Sequence, residues 1–182
     1  MKLPVAAERK RFEYLREPVL GRQTRRVDEV KEVRIQSADD GSVVDPDLVV
    51  RAVRLTLRAE NCPRCELSVA LVDDERMTQL HDRYLNINAP TDVLTFDLSE
   101  SDAGESNGID GEIVVSVDTA RREAEVRCLP PSTEILLYVI HGVLHLLGYD
   151  DTNDEQSAIM HAREDALLSE LGLQRAYEAK AQ

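Results

Sequence analysis

The run from Ser132 to Leu147 constrains the fold more than any other part of the chain, because it is apolar on nearly every face of a helix. A helix of this kind belongs in the interior of a protein, packed on all sides by other elements. It is shorter than the roughly 20 apolar residues that cross a bilayer, so no membrane span is predicted. His141 and His145 interrupt it four residues apart, which places both imidazoles on the same side of the helix.

A carboxylate is predicted to join these two imidazoles. Gly148 follows the helix and allows a left-handed reversal of the chain, which would bring the acidic pair after it back toward the histidines. Two imidazoles and one carboxylate form a three-ligand set that leaves a position open for water, as in catalytic zinc sites. The sequence therefore predicts a metal site made by His141, His145 and Asp151.

A structural role for the same residues is the alternative. A single buried histidine is usually a hydrogen-bonded core residue, and Asp151 stands close enough to the next helix to cap it. The run 152–155 already supplies a capping box, T-x-x-E, so Asp151 is free for other work. Two imidazoles without partners in a core are costly, which favours the metal site. Asp150 and, more remotely, Asp154 are alternative carboxylate ligands.

Strand and helix patterns alternate along the rest of the chain. Strands are predicted around Val33–Ile35 and over Leu67–Val72, Val93–Phe96 and Glu112–Val117. Helices are predicted from Asp45–Pro46 to Glu60, from Asp73 or Asp74 through Tyr84, and from a cap at Asp118 through Val126. This order predicts an α/β or α+β fold, with a small mixed sheet of about four strands packed against helices.

The 182 residues suit one domain with a short extension at each end. Residues 1–30 lack a sustained period and are predicted to be a basic, loosely ordered extension. Residues 31–175 form the predicted domain, and residues 176–182 form a C-terminal tail. The polar stretch 99–110, which contains two glycines, is predicted to be a flexible loop.

Charge limits the partners that the domain can bind. The formal net charge is −13, and residues 35–182 carry 29 acidic against 12 basic side chains. A segment with this charge repels a phosphate backbone at long range. Nucleic-acid binding must therefore rely on local basic groups, on a metal ion or on a partner protein that brings the nucleic acid to the site. Arg121 is a candidate phosphate contact, although an arginine at an exposed helix start is more often simply solvated. His81 and His161 are predicted to lie on the surface.

The cysteines favour a reducing compartment. Cys62, Cys65 and Cys128 are too few, and odd in number, for a disulfide framework. The C-x-x-C pair at 62–65 lacks a second pair at zinc-site spacing, so we interpret it as a loop with two half-buried thiols. The first residues lead directly into charged ones without a secretory signal, and a cytoplasmic location is predicted.

Four motifs resemble those of one known family. His141–Asp151, H-G-V-L-H-L-L-G-Y-D-D, resembles the H-G-x-L-H-L-x-G-Y-D-H signature of the YbeY family, zinc-dependent endoribonucleases of ribosomal RNA maturation. Thr91–Phe96 is similar to the family's T-D-V-L-S-F, and Gly111–Ser116 to its G-D-I-x-x-S. Met160–Glu164 stands where the family has M-x-x-x-E. The resemblance covers about Val33 to Leu173 and does not reach the first 30 residues.

This resemblance implies a metal-dependent, single-strand-specific endoribonuclease that acts late in processing the 3′ end of 16S rRNA and in ribosome quality control. It implies one zinc ion per chain and, as partners, ribosomal RNA and proteins of the small subunit, with neither DNA nor a membrane. His141 and His145 match family ligands, whereas the third ligand is histidine in the family and Asp151 here. Thr91 and Asp92, in the strand predicted to border the cleft, are expected to position the substrate.

Two other functions stay open at this point. A non-catalytic ribosome-assembly factor would use the metal only to fasten the reversal after Gly148. A metal-dependent peptidase of the H-E-x-x-H type would need a glutamate next to the first histidine as its general base, and Gly142 stands there instead. No residue stands out in the sequence as the general base of a nuclease.

Overall fold

A mixed β-sheet is the framework of the structure, a computed structural model that describes residues 2–3, 23–25, 32–37, 43–62, 64–99 and 108–177. The strands are β1 (Lys2–Leu3), β2 (Gln23–Arg25), β3 (Glu32–Ser37), β4 (Arg64–Val72), β5 (Val93–Asp97) and β6 (Gly108–Ser116). They lie in the order β1-β5-β6-β4-β3-β2. β3, β4 and β6 run parallel to one another, while β5 is antiparallel to β6 and β2 to β3.

The predicted sheet of about four strands is confirmed by β3 to β6, and the short strands β1 and β2 extend its edges. Both short strands come from residues 1–30, and the other residues of that predicted extension lie outside the described ranges. β6 begins at Gly108, earlier than predicted, because β4 offers it pairing partners as far back as Arg64. The remainder of the predicted loop, residues 100–107, also lies outside the described ranges.

Helices cover both faces of the sheet. They are α1 (Pro46–Ala59), α2 (Asp74–Leu85), α3 (Val117–Arg127), α4 (Pro131–Leu146) and α5 (Asp154–Glu170). α1, α3, α4 and α5 pack in one large apolar cluster with Ile113 and Val115 of β6. Val114, which points to the other face of the same strand, packs in a smaller cluster with residues of α2. The predicted mixed α/β architecture is therefore confirmed.

α4 is the central helix that the sequence predicts. Thirteen of its sixteen residues are buried, so it has no face left for solvent. A Cβ atom at Gly142 would lie 2.9 Å from side-chain carbons of Ile113 on β6. The absence of a side chain at Gly142 thus lets the histidine-bearing turn of α4 press closely on the sheet. No helix of the described part of the chain has the length and apolarity to span a membrane.

Two predicted helix caps are wrong. α3 is capped by Ser116, whose hydroxyl accepts from the backbone N–H of Thr119 at 3.0 Å, while the predicted cap Asp118 lies inside the first turn. α5 is capped by Asn153, whose Oδ1 accepts from Gln156 N at 3.0 Å, and not by the preceding threonine. In each case the cap is the residue with extended backbone next to the helix, and several neighbouring side chains have the chemistry to fill that place.

The predicted C-terminal tail begins against α5. The backbone N–H of Ala176 donates to Asp165 Oδ1 at 2.7 Å, and Ala176 is 1% exposed. Residues 178–182 lie outside the described ranges. The N–H of Tyr177 donates to the same oxygen of Asp165 at 3.3 Å. The packed part of the structure thus extends to Tyr177.

Glu112 is a carboxyl group inside the protein. It lies in β6 on the same face as Val114 and is only 7% exposed. Burial disfavours the charged form and raises the pKa of Glu112 from 4.5 to about 7. The folded protein therefore holds this proton more tightly than the unfolded chain does.

We expect Glu112→Gln to stabilise the protein at high pH and to change little at low pH. The stability contributed by the neutral carboxyl is complete below the unfolded pKa and is lost as the pH rises through the folded pKa of about 7. Denaturant unfolding at about pH 8.5 should give the variant a free energy of unfolding on the order of 2–3 kcal/mol higher than that of wild type. At about pH 4 the two free energies should agree. An equal difference at both pH values would contradict the raised pKa.

Candidate metal centre

His141, His145 and Asp151 converge at the end of α4. Their donor atoms all lie within 4.8 Å of one another, and within the described ranges this is the only such group of three or more His, Cys, Asp or Glu side chains. The two imidazole Nε2 atoms are 2.9 Å apart. Each Nε2 is 3.8 Å from an oxygen of Asp151, whose side chain is 38% exposed. The predicted ligand set is thus brought together, on the side open to solvent.

The reversal after α4 occurs where the sequence places it. Gly148 has a φ of +97°, which an L side chain rarely adopts. The N–H of Gly148 donates to the carbonyl of His145, and the N–H of Tyr149 donates to that of Leu144, both at 3.0 Å. The chain therefore turns back immediately, and Asp151 reaches the histidine face two residues later.

Hydrogen bonds fix which nitrogen of each imidazole faces the site. His141 Nδ1 lies 2.7 Å from Glu164 Oε1, and His145 Nδ1 lies 3.0 Å from the carbonyl oxygen of Tyr149. A carboxylate and a carbonyl accept hydrogen bonds, so both Nδ1 atoms carry hydrogen and both Nε2 atoms are turned toward the site. Burial, and after it the neighbouring His141, lower the pKa of His145 and favour its neutral form.

This arrangement fits a divalent cation. The two Nε2 atoms are 2.9 Å apart, close enough for one divalent cation to contact both when the imidazoles are neutral. Metal-binding histidines in proteins commonly donate their other ring N–H to a carboxylate or a backbone carbonyl, as both do here. Two neutral imidazoles and a carboxylate are also ligands that zinc accepts.

A second set of contacts holds the reversal in place. The Tyr149 hydroxyl donates to Glu60 Oε2 at 2.8 Å, and Arg163 Nε donates to Glu60 Oε1 at 2.5 Å. Glu60 is the C-cap residue of α1, and Arg163 belongs to α5. The Tyr149 hydroxyl is therefore bonded to the end of α1 and, through Glu60, linked to α5. The carbonyl oxygen of the same residue accepts from His145 Nδ1.

Glu164 is a functional residue to which sequence reasoning gives no role. It is 0% exposed, and its carboxylate lies 2.7 Å from His141 Nδ1. The M-x-x-x-E pattern marks its position, but a pattern does not show that α5 turns this carboxylate toward α4. A buried, charged residue on an otherwise core-facing stripe is the signal that would have identified it.

A cleft of about 350 Å³ adjoins the group, lined by residues of α2, β5, α3, α4 and α5. Thr91 and Asp92, which the sequence analysis expects to position substrate, line it together with His141 and Asp151. Asp92 Oδ1 accepts from the Thr91 hydroxyl at 3.0 Å and from Val93 N at 2.8 Å, which fixes this wall.

Arg121 is not among the residues lining the cleft. Its guanidinium pairs with Asp118 at 3.2 Å on the surface of α3, and its side chain is 46% exposed. Arg127, six residues further along α3, lines the cleft instead and is paired with Glu134 at 2.5 Å. The sequence shows which arginines lie on α3 but not which end of that helix borders the cleft.

The alternative carboxylates are engaged elsewhere. Asp150 accepts from the N–H of Asp151 at 2.9 Å and from the Thr152 hydroxyl at 3.1 Å, so it braces the turn. Asp154 is exposed in the first turn of α5 and is not part of the converging group. Asp151 is thus the carboxylate that the fold brings to the imidazoles.

The prediction that His81 is a surface residue is wrong. It is 8% exposed, and it lines the cleft. The polar side of α2 is covered because the following turn folds back and brings the carbonyl of Ala89 to 2.7 Å from His81 Nδ1. His161 is half-buried and also lines the cleft, with its ring stacked on that of Tyr177 at a centroid distance of 3.9 Å. Side-chain periodicity does not reveal such cover by a loop.

The C-x-x-C pair takes no part in the converging group. Cys62 is half-buried and its thiol donates to the carbonyl of Arg64 at 3.4 Å. Cys65 is buried, and burial, with Cys62 nearby, raises the pKa of its thiol to about 12. A thiol that holds its proton this strongly is a poor nucleophile and a poor metal ligand, which agrees with the structural interpretation.

Replacing Glu164 should weaken metal binding without removing a ligand. Glu164→Gln keeps an oxygen that accepts from His141 but removes the charge, and we expect zinc affinity to fall about tenfold, within the range of such outer contacts. Competition with a chromophoric chelator at constant pH measures this. Glu170→Gln, an exposed change at the end of the same helix, is the matched control. Unchanged affinity in Glu164→Gln would show that this contact does not support the site.

Comparisons with known proteins agree with this geometry. A protein-family model described as Endoribonuclease YbeY matches residues 35–172. Endoribonuclease YbeY of Syntrophus aciditrophicus (strain SB) is 41% identical over 128 residues, which is 69% of this chain and 80% of the relative. Endoribonuclease YbeY of Syntrophotalea carbinolica is 33% identical over 142 residues, 76% of this chain and 95% of the relative.

A solved structure is similar as well. The solution structure of TM1509 from Thermotoga maritima is 26% identical, with a TM-score of 0.54, and the match covers 76% of this chain and 90% of that one. The region matched by the family model contains α1 to α5, the converging His-His-Asp group and every residue that lines the cleft except Tyr177. The chain therefore belongs to the YbeY family.

Proposed function

We propose that this protein is a metal-dependent endoribonuclease that cleaves single-stranded RNA in ribosomal RNA maturation. The observation that carries the proposal is the convergence of His141, His145 and Asp151 in an open cleft, with both Nδ1 atoms already engaged. Its relatives carry the name endoribonuclease, which supports RNA as the substrate.

Zinc is the metal that we propose, one ion per chain, held by His141 Nε2, His145 Nε2 and an oxygen of Asp151. When bound, such an ion supplies a nucleophile from water at neutral pH and polarises a phosphoryl oxygen. The carboxylate of Asp151 is a harder donor than the third imidazole of the family signature, so harder divalent ions should also be accepted.

The chain's own residues supply the arrangement for this chemistry. Glu164 and the carbonyl of Tyr149 hold the two imidazoles in one tautomer, which removes the need to reorganise them when metal binds. Thr91 and Asp92 are proposed to hold the RNA strand along the opposite wall. Arg121, on the exposed surface of α3, is proposed to contact RNA phosphates outside the cleft.

Ribosomal RNA is the proposed substrate, at the 3′ end of 16S rRNA, with a further role in ribosome quality control. A chain with a net charge of −13 gains little from long-range attraction to RNA. Proteins of the small ribosomal subunit are therefore proposed as the partners that bring the substrate to the cleft. The cytoplasm, where ribosomes are assembled, is the proposed location.

A non-catalytic assembly factor is the competing function, because the same three ligands join α4 to the segment before α5 and a metal there would fasten the two helices. The peptidase alternative is disfavoured by packing. Gly142 occupies the position of the glutamate base, and a Cβ atom there would already meet Ile113 at 2.9 Å.

The variant Asp151→Ala distinguishes a catalytic role of the metal from a structural one. Because Asp151 is 38% exposed and lies outside the helices, we expect the fold and ribosome association to persist while RNA cleavage falls by at least about 100-fold. RNA cleavage is measured with a labelled single-stranded oligonucleotide, the fold by circular dichroism, and ribosome association by co-sedimentation. Asp154→Ala, an exposed carboxylate nearby, should cleave like wild type. Loss of α5 structure in Asp151→Ala would favour the structural role.

A further inference from the structure

His81 lies in the cleft with one ring nitrogen fixed and the other free of hydrogen bonds to described residues. Its Nδ1 is 2.7 Å from the carbonyl oxygen of Ala89, and a carbonyl only accepts, so Nδ1 carries hydrogen and donates. The ring is held in the last part of α2 and is 8% exposed. It lines the same cleft as His141 and Asp151. His81 therefore has a ring of fixed orientation in the wall of the cleft that His141 and Asp151 also line.

The proposed reaction needs a proton donor that the metal ligands do not provide. Cleavage of a phosphodiester leaves an alkoxide oxygen, which departs more readily when it receives a proton in the transition state. The Nε2 atoms of His141 and His145 face each other and Asp151, so they are committed to the metal. The donor must therefore come from another wall of the cleft.

Most other proton-bearing side chains of the cleft are unsuited to this task. Burial raises the pKa of Tyr138 and of Tyr177 well above the ordinary value for tyrosine, so both phenols hold their protons tightly. Arginine does not release a proton in proteins, which excludes Arg127. The Thr91 hydroxyl already donates to Asp92.

Two histidines remain among the described residues that line the cleft. His161 has one face of its ring covered by Tyr177, and its Nε2 lies 3.4 Å from the Ser157 hydroxyl. His81 has its orientation set by a backbone carbonyl and its Nε2 unoccupied by any described residue. An imidazole can also carry hydrogen on both nitrogens, so it can donate from Nε2 while Nδ1 stays bonded to a carbonyl.

We propose that His81 is the general acid of this cleft. In its imidazolium form, with hydrogen on both ring nitrogens, it gives the Nε2 proton to the leaving oxygen of the RNA and keeps the Nδ1 hydrogen on the carbonyl of Ala89. The inference rests on the proposed nuclease function. In the step, the oxygen of a water molecule forms a new bond to phosphorus and the bond from phosphorus to the leaving oxygen breaks. The leaving oxygen takes the proton from Nε2, and the proton released by the water molecule restores Nε2 through solvent.

His81→Asn is the informative variant. The asparagine side-chain amide can still donate to the carbonyl of Ala89, so the turn after α2 keeps its anchor, but no atom replaces Nε2. Asp82→Asn, an exposed change at the next position of α2, is the matched control. Zinc affinity and melting temperature of both variants should equal those of wild type.

A sulfur leaving group tests the role of the proton directly. The cleavage products first identify which bridging oxygen leaves, and a second oligonucleotide then carries sulfur at that position. A thiolate departs without protonation, because a thiol has a pKa of about 8.5. We expect His81→Asn to lose about 100-fold in single-turnover cleavage of the oxygen substrate and to come within about threefold of wild type on the sulfur substrate. Asp82→Asn should match wild type on both.

The outcomes separate this inference from the function on which it rests. If wild type leaves RNA uncleaved at any divalent metal, the proposed function fails. If wild type cleaves and His81→Asn cleaves equally well, only the role of His81 is refuted. An equal loss on the oxygen and sulfur substrates also overturns the proposal, because it assigns His81 to binding or folding. The ratio of the two rates is independent of the folded fraction, so partial unfolding of the variant does not obscure the result.

Discussion

The geometry of the site depends on two hydrogen bonds, one from the Nδ1 atom of each histidine, on the side of the ring away from the proposed metal position. By donating from Nδ1 to a buried carboxylate and to a backbone carbonyl, His141 and His145 turn their Nε2 atoms toward each other at 2.9 Å. The two nitrogen donors are thus held close together before any cation binds. Binding of a cation then requires little rearrangement of the ligands, which is the main benefit of such preorganisation.

The rest of the fold keeps these groups in place. α4 is enclosed by the sheet and three other helices, so its histidines stand on one of the most rigid elements of the molecule. Gly142 allows this helix to sit close against β6. The carboxylate ligand comes from a turn, which leaves it accessible from the cleft. Rigid nitrogen donors beside one exposed oxygen donor suit a centre that must admit both solvent and a strand of RNA.

Much of this could be predicted from the sequence, where a single strong pattern carried the information. The apolar run around His141 and His145 specified a buried helix, and Gly148 specified the reversal that returns Asp151. Contacts between distant segments could not be predicted. Glu164 and His81 each stand on a helix whose own periodicity does not say what covers its polar side, so their positions depend on packing that only the assembled structure shows.

The hydrogen bonds that Glu60 accepts from Tyr149 and Arg163 affect the order in which the site can assemble. They join the end of α1 to α5, and Glu164, also on α5, accepts a hydrogen bond from His141. A nascent chain that has emerged only as far as α4 holds both imidazoles but lacks the carboxylate, the arginine and the glutamate that complete the centre. The complete centre can therefore assemble only after the segment through Glu164 has been synthesised, and a fragment that ends within α4 holds two imidazoles without the rest of the site.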